Sequence, residues 1–315
     1  MSKFPLVSLI VLNWNGKELL RRCLRSIESI DYPNVEVIVV DNASTDSSVD
    51  MVREEFPSAK IIVNALNLGF AGGNNEGIRI ARGEIVALIN NDVILDRNWV
   101  TFIAQAIMNN PKIGIVGGKI FYAGSNNLIY SAGGKVSYLR GTVALVGMGR
   151  QDSSEFSKSR LVDHVAGCAM AFRRDLVKKV GLLDPEYFLY VEETDFCFRA
   201  RRANYKISYV PEAIAWHLAG GTTRCRPSRY RFKVTYTQYL VFRNRVRFIL
   251  KNFDHLWIFT ALFSSAVYFW LASIVTALKE HSPNAIFLVL RAITWNVKNL
   301  RKTLLSRATD LSKLQ

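Results

Sequence analysis

The stretch VSLIVLNWNGKELLRRCLRSIESIDYPNVEVIVVDNASTD, residues 7–46, decides the fold. It opens with an apolar, β-branched run that stops at Asn13, Trp14 and Asn15. KELLRRCLRSIESI (17–30) then places Leu19, Leu20, Leu24 and Ile27 at helical spacing. VEVIVVDN (35–42) reads as a second buried strand. Strand, helix and strand in close succession make a βαβ unit, whose two strands run parallel.

The alternation continues. SSVDMVREEF (47–56) predicts a short helix, KIIVN (60–64) a strand, NNEGIRIAR a helix, EIVALIN a strand and NWVTFIAQAIMNN a helix. The fold class is therefore α/β, a mostly parallel sheet with helices on both faces. Gly and Asn enrichment from 114 to 149 predicts loops and hairpins rather than further βα units. GCAMAFRR (167–174) and KISYV (206–210) read as two more strands.

Composition excludes several classes. At 315 residues, 50% hydrophobic and 21% charged, the chain is not disordered. The cysteines Cys23, Cys168, Cys197 and Cys225 form no CxxC pair, which argues against a disulfide scaffold or a zinc site. The start, MSKFPLVSLIVLNWNG, offers no small-residue cleavage site and reads as a first strand, so the expected location is cytoplasmic.

The charge is unevenly spread over a chain of net charge +15. Arg224 to Lys251 holds nine Lys/Arg and no Asp/Glu, which predicts an anionic partner or a solvated basic face. Leu256 to Leu278 is 23 residues without a charge, about 35 Å as a helix against a hydrocarbon core of about 30 Å. AIFLVLRAITWNV (285–297) is shorter and contains Arg291. Basic residues stand on both sides: Arg243, Arg245, Arg247 and Lys251 before, and Lys298, Arg301, Lys302 and Arg307 after. That disfavours a single crossing and favours a re-entrant hairpin or helices lying in the interface. The other reading is a soluble helical subdomain that buries this run against the sheet or in a dimer. The chain thus divides at 225/226 into an α/β domain and a C-terminal helical, membrane-associating region.

In an open parallel sheet, ligands bind beyond the carboxyl ends of the strands. Those ends are rich in short polar residues: Asn13 and Asn15, Asp41 to Asp46, Asn64 to Asn75, and Asn90-Asn91-Asp92. Asp41 can accept the imide N–H of a pyrimidine base. A helix N-cap box at Ser44, Thr45 and Asp46 explains Asp46 better than Asp41. NLGFAGGNN (67–75) lets backbone N–H groups approach a phosphate, or is a plain turn. Asp92 and His217 together suit a divalent cation on a diphosphate, Mn²⁺ or Mg²⁺, although a lone histidine is more often a core residue. FLYVEETDFCFRARR (188–202) packs Glu192, Glu193 and Asp195 into four positions, as a helix start or as an acid–base site, with Glu192 and Glu193 just before the helix and Asp195 onward building it.

The ordered set LNWNG, VVDNASTD, NLGFAGGNN, LINNDV, GCAMAFRR, FLYVEETDFCFR and WHLAGG resembles family 2 glycosyltransferases over roughly residues 5–225. The likeness is greatest to the rhamnosyltransferase-like branch that builds bacterial surface polysaccharides. The resemblance implies a GT-A fold and an inverting transfer from a UDP- or dTDP-sugar, dTDP-rhamnose among them, to a lipid-linked or growing glycan acceptor. Carried over by position, Asp41 binds the base, within a donor-binding set of Asn13, Asn15, Asp41, Asn67, Gly69, Asn74, Asn90 and Asn91. Asp92 and His217 match metal ligands. Asn90 stands where many relatives have the first Asp of a DxD. The EETD run matches a Glu-Asp-x-Asp motif, with Glu193 as the catalytic base and Glu192 as second candidate or acceptor-orienting partner. Asp195 is expected to face helix backbone or Arg199, four residues on. No QxxRW supports a processive synthase, and no GxGxR loop supports a nucleotidyltransferase. A non-catalytic sugar-nucleotide or membrane-surface binding protein on the same fold is the alternative. The implied partners are the sugar nucleotide, the acceptor and the cytoplasmic face of a membrane, with nucleic acid excluded and homo-oligomerisation left open.

Overall fold

A computed structural model describes residues 4–125, 127–218, 233–279 and 284–313. The α/β part runs β1 (Val7–Asn13), α1 (Lys17–Glu28), β2 (Val35–Asp41), α2 (Ser48–Glu55), β3 (Lys60–Val63), α3 (Gly69–Ile80), β4 (Ile85–Asn90), β5 (Val93–Leu95), α4 (Trp99–Asn109) and β6 (Ile113–Tyr122). It continues with β7 (Ile129–Ser131), β8 (Gly134–Ser137), β9 (Thr142–Leu145), β10 (Arg160–Val162), β11 (Ala169–Arg173), α5 (Leu176–Val180), α6 (Glu192–Arg202) and β12 (Lys206–His217). Four helices follow: α7 (Lys233–Asn252), α8 (His255–Lys279), α9 (Asn284–Lys298) and α10 (Leu300–Ser312).

The apolar strands form one sheet in the order β10-β12-β6-β11-β4-β1-β2-β3, with β5 on β12 and β7 on β6. β3, β2, β1 and β4 are parallel, β11 is antiparallel to its neighbours, and β12 is parallel to β6. Alternation along β1 sends Leu9 and Val11 to one face, against Leu20, Cys23, Leu24 and Ile27 of α1. Ile10 goes to the other face, in a cluster with Phe70 and Ile78 of α3 and Phe196 and Ala200 of α6. This is the two-sided cover that parallel strands require.

Three local readings are corrected. Residues 113–122 are not loop but β6, a ten-residue strand inside the sheet. Its glycines made it look like a turn, yet they are there for space: a methyl group at Gly117 would lie 2.6 Å from Val165 Cβ. Gly72 and Gly73 belong to α3 rather than to a phosphate loop. A methyl at Gly73 would come within 2.5 Å of Leu12 Cδ1, and one at Gly77 within 2.5 Å of Ile10 Cγ2, so these glycines let α3 sit close on β1. Finally, Glu192 and Glu193 do not precede the helix; they are the first two residues of α6.

The basic stretch is the largest correction. Part of it, Arg224–Arg231 with Cys225, lies outside the described residues, as do the proposed 225/226 boundary and the AGG after Leu218. The described part is α7, and its Arg243, Arg245, Arg247 and Lys251 are buried rather than turned toward headgroups. Lys251 Nζ lies 2.9 Å from Asp184, 3.0 Å from Asp195 and 3.1 Å from Asp310. Arg247 pairs with Asp184 at 2.9 Å, and Arg199 with Asp195 at 2.8 Å, the expected i,i+4 partner. Asn252 Nδ2 and the Tyr187 hydroxyl also donate to Asp195 Oδ1. A charge run read locally looks solvated. Here its counterions come from elements about sixty residues away along the chain.

Burial by itself would raise the Asp195 carboxyl. The charges of Lys251 and Arg199 and the Asn252 hydrogen bond override it and hold the group well below the usual carboxylate range. A depressed folded-state value stabilises the fold above the unfolded carboxylate range, and that stabilisation is lost on further acidification. Lys251→Ala leaves three carboxylates buried around an empty centre. It is expected to lower the unfolding free energy by about 3–5 kcal/mol in a urea titration at neutral pH. The deficit relative to wild type should shrink below about pH 4, where the carboxylates protonate.

Candidate active site at the carboxyl edge of the sheet

The strand register builds the site. Asn13 stands beside Asp41, Leu12 beside Asn90, and His217 beside Tyr122, so five parallel strands end at one edge. β11 runs the opposite way and brings Gly167 and Cys168, just before it, to the same edge. The Asn90 N–H donates to the Cys168 carbonyl at 2.9 Å.

The ends of β1, β2 and β4 are wired together. Asn13 Nδ2 donates to Asp41 Oδ1 (3.0 Å) and Ser44 Oγ (3.2 Å), and Asn91 Nδ2 donates to Asn13 Oδ1 (2.7 Å). The Ser44 N–H donates to Asp41 Oδ2 at 2.8 Å. Asp41 is thus almost wholly buried and shapes the turn itself, a structural role the local reading gave only to Asp46. Asp46 does accept from Ser48 at the start of α2, and it also takes the Lys17 N–H at 2.9 Å. Asn15 accepts the Thr45 N–H at 2.7 Å, and Asn67 accepts the Gly69 N–H at 2.8 Å and Asn42 Nδ2 at 3.2 Å. Asn74 instead donates to the Phe70 carbonyl one turn back in its own helix. Asn90 is half-buried at the end of β4.

Asp92 and His217 meet across the sheet, with Oδ1 and Nε2 3.1 Å apart, both almost fully buried. Burial would lower the His217 pKa. Cys168 and the Asp92 hydrogen bond override that and push it up to about 10. Among the described residues no three His, Cys, Asp or Glu surround a common point, so the protein offers a cation one oxygen and one nitrogen ligand. A carboxylate and an imidazole, with His217 Nδ1 buried and without a hydrogen-bond partner, are a donor set that a divalent cation would accept on displacing the imidazole's proton.

The acidic pair lies in the same neighbourhood. Tyr130 sets its ring edge-on against His217, centroids 4.6 Å apart. Its phenol is held above its ordinary value by burial first, then by the charges of Cys168, Glu193 and Asp92. Glu193 packs on Gly167, where a methyl would come within 3.2 Å of its Cβ. Glu193 is half-buried, and its carboxyl is raised mainly by burial. Glu192 is deeper, has Oε2 without a partner, and is raised further by burial and by the Glu193 charge. Tyr130 escaped the motif reading, and Gly167 and Cys168 entered it as part of GCAMAFRR without a role in the site. Gly-Cys before a strand was a usable signal, whereas Tyr130 sits on a three-residue strand with no local signature.

Backbone strain collects at this edge. Of the seven described non-glycine residues at positive φ, six lie in the loops after β1 and β2 or just before α6. The last three are Phe188 (63°), Tyr190 (75°) and Val191 (77°), each costing about 1–3 kcal/mol. At Phe188, with ψ −58°, the chain makes a γ-turn in which the Leu189 N–H donates to the Tyr187 carbonyl at 2.7 Å.

The sequence profile of glycosyl transferase family 2 matches residues 8–181, more than half of the chain. The chain is a member of glycosyl transferase family 2. This member is 25% identical over 243 residues to the low-salt glycan biosynthesis hexosyltransferase Agl10 of Haloferax volcanii, covering 76% of this chain and 74% of that protein. It is 23% identical over 218 residues to the poly-beta-1,6-N-acetyl-D-glucosamine synthase of Staphylococcus epidermidis, covering 69% of this chain and 50% of the synthase. The chain thus spans about half the length of that relative. Among solved structures it resembles the mannosyltransferase PcManGT from Pyrobaculum calidifontis in complex with GDP-Man and Mn²⁺, with TM-score 0.58 and 19% identity over 99% of this chain and 86% of that one. It also resembles GalNAc-T7 with UDP, GalNAc and Mn²⁺, with TM-score 0.62 and 15% identity over 81% of this chain and 49% of that one. The fold expected of the family, GT-A, is the fold found.

Gly69 joins the two halves of the family 2 site. Its φ is +71°, and an added methyl would lie 2.3 Å from the Phe188 carbonyl oxygen and 2.5 Å from Phe188 Cδ2. Gly69→Ala is expected to cost about 1–3 kcal/mol of stability from the backbone conformation alone, read in a denaturant titration.

Proposed function

We propose that this family 2 member is an inverting, divalent-metal-dependent hexosyltransferase. In this reading it takes a UDP- or dTDP-sugar, dTDP-rhamnose being the donor of the rhamnosyltransferase-like branch, to a lipid-linked or growing glycan acceptor. The observation that carries the reading is the placement of Glu193: a half-buried residue of raised pKa, at a helix start, linked to the Asp92–His217 pair through Tyr130, whose ring lies against His217.

Inversion is a single displacement. The acceptor hydroxyl attacks the anomeric carbon, its proton passes to Glu193, and the bond from that carbon to the diphosphate oxygen breaks. A raised pKa suits a base that must be basic enough to take this proton yet ionised near neutrality. Glu192 is too deeply buried to reach an acceptor directly; its carboxyl is raised well above the usual range by burial and by the Glu193 charge, and its role is to set the surroundings of Glu193. Asp92 and His217 would hold the cation, which when bound stabilises charge on the departing diphosphate. Asn13, Asn15, Asp41, Asn67, Gly69, Asn90 and Asn91 form the donor side of the site, with the buried Asp41 shaping the turn against which the nucleobase would lie.

The C-terminal helices support a membrane-surface location, with residues 1–225 as catalytic part and 226–315 as associating part. One described helix, α8, is long and apolar enough to cross a membrane, and most of its apolar window is not buried in the protein. It touches the protein through a seam of Ala261, Ser265, Phe269 and Ser273, while Phe259 (78% exposed), Phe263 (64%) and Leu271 (60%) face outward. Exposed Val297, Leu300 and Leu304 extend the apolar face beside exposed Lys298, Arg301 and Lys302. Those tail cations, rather than the buried ones of α7, are the groups available to anionic headgroups.

A thermal-shift screen of nucleotide sugars with and without Mn²⁺, followed by transfer assays on lipid-linked acceptors, tests the activity. Glu193→Gln is expected to retain donor binding and to lose transfer by at least 100-fold. In wild type the rate should rise with pH through the raised Glu193 value, because the base works only when deprotonated, so the acid limb should lie above the ordinary glutamate range near 4.3. Transfer that survives Glu193→Gln removes the base assignment; binding of donors with no turnover of any favours the non-catalytic binding protein. Separately, Phe259→Ser with Phe263→Ser is expected to weaken flotation with anionic vesicles at least several-fold while leaving the soluble donor shift unchanged.

A further inference from the structure

Resting on the transferase reading above, we propose that Asn244 of α7 is a positioning residue for the reaction: it clamps the strained turn that carries the acidic pair. Asn244 is fully buried. Its Nδ2 lies within hydrogen-bond distance of three carbonyls of that turn, Tyr187 at 2.9 Å, Leu189 at 2.8 Å and Tyr190 at 2.8 Å, which share its two hydrogens. These carbonyls bracket Phe188 and Tyr190, two of the three residues at positive φ, and the third, Val191, leads straight into Glu192 and Glu193.

A turn of this kind needs an external hold, because L-residues at positive φ relax toward the ordinary regions unless their surroundings over-determine them. An amide NH₂ at the centre of the turn supplies that hold. The amide is itself fixed: its Oδ1 accepts from Arg243 Nε at 2.8 Å. Arg243 also donates to the Tyr187 carbonyl at 2.7 Å and rests on the Trp295 ring at 4.5 Å. Asn296 of α9 donates to the Arg243 carbonyl at 3.1 Å. The side chains of Phe188, Leu189 and Tyr190 pack in one cluster with Tyr239 and Phe242 of α7, Phe269 of α8 and Val289 of α9. On the other side, the Phe188 carbonyl takes the Phe70 N–H at 2.6 Å, beside Gly69. The turn is therefore held between the donor-side loop and the C-terminal helices, and Asn244 is where that hold becomes hydrogen bonding.

Asn244 touches no reacting atom in this scheme, so its loss should act on the rate of the chemical step more than on donor affinity. Asn244→Ala removes the amide. Asn244→Asp keeps the volume but removes both donor hydrogens. Each is compared with wild type in kcat, in donor affinity from the nucleotide-sugar thermal shift, and in hydrogen exchange of peptides covering 187–196. The expected result is a kcat lowered at least tenfold in both variants, donor affinity within threefold, a cooperative melt, and faster exchange confined to 187–196. Should Asn244→Ala not fold, Asn244→Ser, with one shorter donor, carries the same comparison. Wild-type kcat in Asn244→Asp overturns the proposal, and so does a parallel fall of kcat and donor affinity with exchange raised throughout the chain. If wild type turns over no donor, the transferase reading fails. The exchange arm then decides the clamp alone: unchanged protection of 187–196 rejects it, and local loss of protection supports it.

Discussion

The buried carboxylate of Asp195 is the constraint around which this protein is arranged. It sits in the first turn of α6, fully buried, where an ionised group survives only with close partners. Arg199 from the same helix is one. Lys251 and Asn252 from the end of α7 and Tyr187 from the preceding turn are the others. Lys251 in turn holds Asp184 and Asp310. Because Lys251, Asn252 and Asp310 come from the C-terminal helices, the seating of the helix that begins with Glu192 and Glu193 depends on them. The electrostatic need of one aspartate ties the carboxyl edge of the sheet to the last eighty or so residues of the chain.

The same arrangement gives the C-terminal region an inverted character. Arg243, Arg245, Arg247 and Lys251 of α7 are buried, and large apolar side chains of α8 and α9 point outward. In water an exposed row of Phe and Leu is unfavourable, and in a bilayer interface it is not. The strained turn before α6 packs on the inner side of the same helices whose outer side carries the exposed apolar side chains.

Much of the α/β half was legible in the sequence. The βαβ rhythm, the parallel strands and the edge where polar residues gather all follow from local periodicity and from short side chains after apolar runs. Asp41, Asn13, Asn91, Asp92 and His217 could be picked out because each ends a strand. β6 was not legible, because glycines that make room for Val165 and Ala213 look the same in sequence as glycines that turn. Nor was the position of α6: the run EETD signals a helix start, but where the first turn begins depends on three residues at positive φ before it.

By itself, then, the sequence determined the fold class and the set of polar groups at the strand ends, because strand and helix periods are local properties of the chain. Only the tertiary structure decided which carboxylates stay partly open and which hold the frame. It buried Glu192, left Glu193 partly open, locked Asp41 into its turn and spent Arg247 and Lys251 inside. Those outcomes depend on burial and on partners distant in sequence. A charged residue reads identically in a sequence whether it faces solvent, a headgroup or a buried aspartate, and only packing distinguishes the three.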